Sequence, residues 1–141
     1  MSTDENKTVV RQVEEAWNAG QLDALDKLFA LNFVAHNAVP GMPPGLEGAK
    51  MAHQASVQAF PDRRTSIEDM IAEGDQVAVR MRMTGTNTGG APWFGAPANG
   101  KQVDVQWISI YHLAAGKVDE HRAVMDILGL MQQLGVIPTP G

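Results

Sequence analysis

Cysteine is absent from the 141 residues, which excludes disulfide frameworks, thiolate nucleophiles and zinc–thiolate sites. Charge is sparse: Asp, Glu, Lys and Arg make up 19% of the chain, under the usual quarter or so. The balance is acidic, with a net charge of −5. Only Arg63-Arg64 and the spaced Arg80/Arg82 pair approach a basic patch, so no nucleic-acid partner is expected, because a phosphate backbone needs a cationic stripe. Long apolar runs are missing, and the first residues, MSTDENKTVV, are polar and acidic where a secretion signal would be basic and then apolar. The expectation is a cytoplasmic protein with no membrane partner.

Site motifs are equally scarce. The four histidines, His36, His53, His112 and His121, come from separate segments, and neither His-x-x-x-His nor His-Glu-x-x-His spacing occurs, so no metal site is expected. Nor does the chain carry a phosphate-binding loop, a dinucleotide fingerprint or a Gly-x-Ser-x-Gly elbow. Without these, a cofactor-free pocket is the site chemistry left open.

What the chain does contain reads as one domain over residues 1–141: mainly helical over 1–62, an antiparallel sheet over 63–126 and a C-terminal helix over 127–135. Ser2, Thr3 and Asp4 offer N-caps to a first helix whose apolar positions Val9, Val10, Val13, Ala16 and Trp17 recur at helical spacing, and Gly20 closes it. Leu22, Leu25, Leu28 and Phe29 suggest a short second helix. Phe33 to His36 reads as extended, and the proline-rich VPGMPPG that follows excludes helix and central strand. A third helix is expected from about Leu46 to Phe60, with Ala49, His53, Val57 and Phe60 on its apolar stripe.

From Thr65 the period changes to two. Thr65–Glu73 and Gln76–Thr86 make a hairpin around Gly74-Asp75, with Val77, Val79, Met81 and Met83 on one face. The methionines suit a deformable cavity wall and serve equally as core filler. Residues 87–100 form a Gly/Pro/Asn loop carrying Trp93-Phe94, which folds back on a pocket mouth, a second copy or the domain's own edge. A second hairpin follows, turning at Ala115-Gly116. Symmetric pairing puts Val103, Val105, Trp107, Ser109 and Tyr111 on one face with Asp119, His121, Ala123 and Met125. The opposite face then carries His112 with Val118, Glu120 and Asp126, and at ~3.3 Å per residue it keeps His112 and Asp126 over about 20 Å apart, too far for a dyad.

His121, with Tyr111 and Ser109 as neighbours, is therefore the candidate general acid or base, or else a hydrogen-bonded core histidine. Asp126 is a second candidate, although it directly precedes the Ile127, Leu130, Met131, Leu134 stripe and is placed to cap the last helix. The expected catalytic set is thus His121, Asp126 and Tyr111. The expected substrate-contacting set is Trp17, His36, His53, Met81, Met83, Trp107, Ser109 and Ala123.

The order of helices followed by a curved antiparallel sheet resembles the cone-shaped α+β barrel of the nuclear-transport-factor-2-like superfamily, and within it the SnoaL-like polyketide cyclases, or ester cyclases. The resemblance rests on Ala16-Trp17-Asn18-Ala19-Gly20, Ile71 to Ala78, Gly100-Lys101, Gly116 to Arg122 and Gln133-Leu134-Gly135. It implies an α+β fold with three N-terminal helices packed on the sheet and a short C-terminal helix. It also implies a pocket for a small apolar, carbonyl-rich substrate, no cofactor, and a homodimer or homotetramer. In the family's cyclases an aspartate follows the Glu-His-Arg or Glu-His-Trp motif and moves the proton, and a histidine faces it. Here those positions carry Ala123 and Ser109. The resemblance thus leaves open an enzyme with relocated acid–base groups, a non-catalytic binding or assembly module, and a related hydroxylase or epoxide hydrolase.

Overall fold

The computed structural model describes residues 1–37 and 39–140. A 17-residue helix α1 (Thr3–Ala19) opens the chain. Of the three cap candidates Ser2 is the one used: its hydroxyl accepts the Glu5 N–H at 3.1 Å, satisfying one of the donors a helix start leaves open. Gly20, at φ 71°, ends the helix in the left-handed conformation that glycine adopts without a Cβ penalty. A 3₁₀ turn (Leu22–Lys27) leads into strand β1 (Phe29–Ala35). Helix α2 (Gly45–Ala59) follows the proline-rich segment. Strands β2 (Arg64–Glu73), β3 (Gln76–Thr86), β4 (Gln102–Ala114) and β5 (Lys117–Met125) then run as two hairpins, and α3 (Ile127–Gln133) closes the described structure.

The five strands lie in the order β1-β5-β4-β3-β2 in one curved, unclosed sheet. The antiparallel meander β2–β5 is as expected from the alternating pattern. Two features differ from the sequence expectation. Phe29 is the first residue of β1 rather than part of a helix, because an apolar spacing of four (Leu25, Phe29, Phe33) fits a helical stripe and one face of a strand equally well. The sheet is also mixed, since β1 pairs with β5 in parallel. A parallel partner joined through most of the chain leaves no turn signature between the two strands.

A bulge in the second hairpin corrects the expected faces near its turn. The register shifts between His112 and Leu113, so Leu113 pairs with Val118, while His112 pairs with Glu120. The extra residue is Asp119. Val118 therefore points inward and is fully buried, and Asp119 turns out to bond His112 Nδ1 at 2.5 Å. From His112 to Trp107 the pairing is the symmetric one, with Tyr111 opposite His121 and Ser109 opposite Ala123.

Two apolar clusters fill the concave side. One gathers Val10, Val13, Leu25, Phe29 and Phe33 with Val77, Val79, Met81 and Val118; the other joins Ala59, Phe60 and Met83 to Val103, Val105, Leu130 and Leu134. Trp107 packs against both. Phe94 of the 87–100 loop folds onto the second cluster, the domain's own edge, whereas Trp93 is exposed. Val57 is also exposed, because α2 packs through its small residues Gly48 and Ala59 rather than through the expected valine. On the outer sheet face Ile71, Ile108, Ile110 and Val124 are exposed. No helix among the described residues is long and apolar enough to cross a membrane.

Candidate active site

Between α1, α2, β1 and the inner face of β4 and β5 lies a cavity of about 190 Å³. Its walls are aromatic: Trp17, Phe29, Phe33 and Trp107. Its polar groups are Glu14, His53, Arg63, Thr65, Ser109, Tyr111 and His121. Six expected residues converge there: Trp17, His53 and Trp107, with Ser109, Tyr111 and His121 clustered on the β4–β5 pair.

Alternation along β4 aims Trp107, Ser109 and Tyr111 at the cavity, and the register sets His121 beside them. The His121 ring lies against Tyr111, with centroids 4.8 Å apart, and its Nε2 shares a 3.0 Å hydrogen bond with Ser109 Oγ. On the helical side, the His53 ring packs on Trp17 at a centroid distance of 4.9 Å. Burial lowers the pKa of both imidazoles to about 4, with the Arg63 charge adding to the effect at His53. Both are therefore neutral at physiological pH, hydrogen-bonding groups rather than cations.

Glu14 was not among the expected site residues. It occupies the third place of Val10, Val13, Glu14, Trp17, an i, i+3, i+4, i+7 set on the inner face of α1, and only 7% of it is exposed. A carboxyl in a position that the helical period reserves for an apolar side chain was the available signal. The Tyr111 hydroxyl donates to Glu14 Oε1 at 2.5 Å. Burial raises the Glu14 pKa, and the Tyr111 bond and the Arg63 charge oppose that rise. Tyr111 is itself pushed well above its ordinary value by burial and by the Glu14 charge, so it remains a hydrogen donor across the physiological range. The site thus holds one buried carboxyl with a raised proton affinity, a phenol hydrogen-bonded to it, and a neutral imidazole–hydroxyl pair alongside.

The remaining expected residues lie elsewhere. Met81 is fully buried in the first core cluster and Met83 in the second; they are packing, not cavity wall, although Met81 borders a small cleft that reaches Glu14 from the α1–β2 side. His36 sits in the turn after β1, its N–H donating to the His121 carbonyl at 2.9 Å and its ring 3.6 Å from Glu120. It supports the strand that carries His121 without lining the cavity. Ala123 is at the rim of β5, where its N–H donates to Asn37 Oδ1 at 2.7 Å. Asp126 is exposed and accepts the Gly129 N–H at 2.9 Å as the N-cap of α3, so the expectation of catalysis gives way to capping. No group of three or more potential metal ligands occurs among the described residues.

Two expected outcomes follow from these placements. Asp126→Ala should lower stability by about 1 kcal/mol through loss of the cap and leave binding in the cavity unchanged; denaturant unfolding alongside ligand titration measures both. For His121, NMR titration of the ring should show it neutral down to about pH 4. Because the unfolded chain binds that proton near 6.5, stability contributed by His121 and His53 should rise with pH between about 4 and 6.5. A urea-unfolding series across this range should lose part of its slope in His121→Gln.

Comparison with known proteins places this geometry. The sequence model of the SnoaL-like polyketide cyclase family matches residues 7–134. Aklanonic acid methyl ester cyclase DnrD of Streptomyces peucetius is 28% identical over 137 residues, covering 94% of this chain and 92% of its own. Among solved structures, TsrD of Streptomyces laurentii superposes with a TM-score of 0.86 at 27% identity, covering 97% of this chain and 99% of its own. AclR of Streptomyces galilaeus, a proposed hydroxylase, gives 0.83 at 27% identity over 99% of this chain and 87% of its own.

Proposed function

The chain belongs to the SnoaL-like polyketide cyclase family, and from that premise we propose that it is an enzyme performing acid–base chemistry, without a cofactor, on an apolar carbonyl-bearing molecule held in the cavity. The observation that carries this reading is Glu14: a buried carboxyl on the cavity wall, its pKa raised by burial, with the Tyr111 hydroxyl bonded to it. Once ionised, a carboxylate whose proton affinity is raised by burial is a stronger base, which favours proton transfer from carbon next to a carbonyl. Glu14 is the group that takes and returns the proton. Tyr111 fixes its orientation, and the His121–Ser109 pair supplies hydrogen bonds to the carbonyl oxygen as charge builds there.

This assignment accounts for the departure from the cyclase pattern. Ser109 and Ala123 face each other across β4 and β5, and Ala123 can move no proton. The acid–base group comes instead from α1, on the other side of the cavity. A cavity of about 190 Å³ compares with the ~150 Å³ that admits benzene in an apolar protein interior, so one or two rings of a polyketide-like molecule enter it.

Against an epoxide hydrolase stands the cavity's single carboxylate among the described residues, since epoxide opening would need paired carboxylates around a water. Against a purely structural module stands a desolvated carboxyl facing an open space, an arrangement that packing alone disfavours. The reading includes self-association through the outer sheet face, where Ile108 and Ile110 of β4, Val124 of the adjacent β5 and Ile71 of β2 are exposed; a monomer by light scattering at micromolar concentration would remove that part.

The experiment is incubation with aklanonic acid methyl ester and with a one-ring 1,3-diketone in deuterated buffer, following deuterium uptake beside the carbonyl and ring closure by mass spectrometry. Catalysed uptake or closure above the buffer rate is expected. Binding of both compounds with neither reaction would favour the non-catalytic module.

A further inference from the structure

Arg63 is the one cationic cavity group among the described residues, and the proton-transfer chemistry above leaves it unused. It stands between α2 and β2, held at the α2 terminus where its N–H donates to the Phe60 carbonyl at 2.9 Å, and its guanidinium faces the cavity beside Glu14 and His53. The Arg63 Nη1–H lies 3.3 Å from His53 Nδ1. Since His53 is neutral, this nitrogen accepts the bond and the ring proton sits on Nε2. The Arg63 Nε–H is buried and has no hydrogen-bond partner among the described residues. No carboxylate among them forms an ion pair with the guanidinium either. Glu14 acts on it through space, while Glu14 Oε1 accepts the Tyr111 hydroxyl.

A largely desolvated guanidinium with an orphaned donor is a costly arrangement in a folded protein, and native structures tolerate it chiefly where something else supplies the acceptor. The planar N–H fork of arginine matches a carboxylate, two parallel bonds to two oxygens. The cavity also offers Trp17, Phe29, Phe33 and Trp107, surfaces for a ring.

We propose that Arg63 is an anchor for a carboxylate on the ligand, so that among ring-sized apolar molecules this cavity favours those that bear an acid over their neutral counterparts. The proposal rests on the cavity being a ligand site and is independent of whether the bound molecule reacts. It also gives Glu14 a second consequence. An ionised Glu14 repels an incoming carboxylate, so removing its charge strengthens the binding of an acid while leaving a neutral analogue unaffected.

Benzoate and benzamide share shape and differ in charge, which makes them the probes. In calorimetric titrations near pH 7 at low salt, benzoate should bind at least about 10-fold more tightly than benzamide, the usual size of a charge-assisted hydrogen-bond contribution. Arg63→Met should abolish that preference and leave benzamide binding in place. Glu14→Gln should tighten benzoate severalfold and leave benzamide unchanged, a gain that misfolding cannot mimic. If Arg63→Met does not fold, the wild-type pair and Glu14→Gln decide. Equal affinity for both probes, or a benzoate preference that survives Arg63→Met, overturns the carboxylate anchor. Benzamide binding alone overturns it too, and leaves the cavity's role as a ligand site standing. Failure of both probes to bind removes the ligand site itself.

Discussion

Glu14→Gln is expected to lower turnover of a carbonyl substrate by about 10²–10⁴-fold, the contribution typical of a positioned general base, while the folded protein becomes more stable at neutral pH. The two effects have one cause. The Glu14 carboxyl is raised from its ordinary value of 4.5 by burial, so between that value and the raised one the folded chain holds a proton that the unfolded chain has released. Stability from this group is therefore fully present below about 4.5 and falls as pH rises towards the folded value. Glutamine keeps the shape, can still accept the Tyr111 hydrogen, and cannot ionise, so the loss at higher pH disappears. Steady-state rates paired with urea unfolding at several pH values test both halves. A variant that kept full activity would move the base elsewhere in the cavity, with His121 as the next candidate. A variant that lost both activity and stability would make Glu14 a structural residue.

Gly89→Ala should be the most damaging of the small substitutions, at about 3 kcal/mol or more, corresponding to a fall in melting temperature on the order of 10 °C. Gly89 is exposed, and nothing in its surroundings on the solvent side suggests sensitivity. Its Cα, however, faces the end of α2: a Cβ there would overlap the Gln58 carbonyl oxygen and lie 2.7 Å from its carbonyl carbon. The same glycine donates its N–H to the Ala59 carbonyl at 3.1 Å, so loop and helix end are tied by backbone and neither yields easily. Because Arg63 and His53 are placed by this end of α2, the substitution should also weaken benzoate binding in whatever fraction stays folded. Gly95→Ala is the comparison. A Cβ at Gly95 meets nothing within 4 Å, and only its positive φ of 73° disfavours alanine, by about 1 kcal/mol. Thermal unfolding of the two variants should separate steric overlap from backbone strain; equal losses would mean that the loop relaxes away from α2.

Much of the fold was legible because its signals are local. The capped stripe of α1, the two alternating hairpins and the Asp126 cap before Ile127 each lie within a window of one element, where period and terminal chemistry decide the outcome. The inner face of β4, with Trp107, Ser109 and Tyr111 in alternation, was equally readable, and so was the absence of a His112–Asp126 dyad. What failed was whatever depended on partners distant in sequence. Strand β1 hides in an apolar spacing shared by helix and strand, and its parallel partner β5 lies most of the chain away. Asp119 was assigned to the wrong face because a bulge of one residue inverts every side chain between it and the turn.

For the site, the amino-acid sequence by itself determined the chemistry available: no thiol, one phenol, four scattered histidines, and a face of β4 and β5 that carries Trp107, Ser109, Tyr111 and His121. Tertiary structure alone decided which groups meet. It brought Glu14 of α1 onto Tyr111 of β4, residues 97 positions apart, and set Arg63 beside His53 with one donor unmatched. Neither pairing has a local signature, because a hydrogen bond between a helix and a sheet is fixed by how the two layers stack, and the stacking is driven by the apolar residues around it. The same burial that brings these groups together shifts their proton affinities, and so the protein's acid–base character emerges only when the layers close.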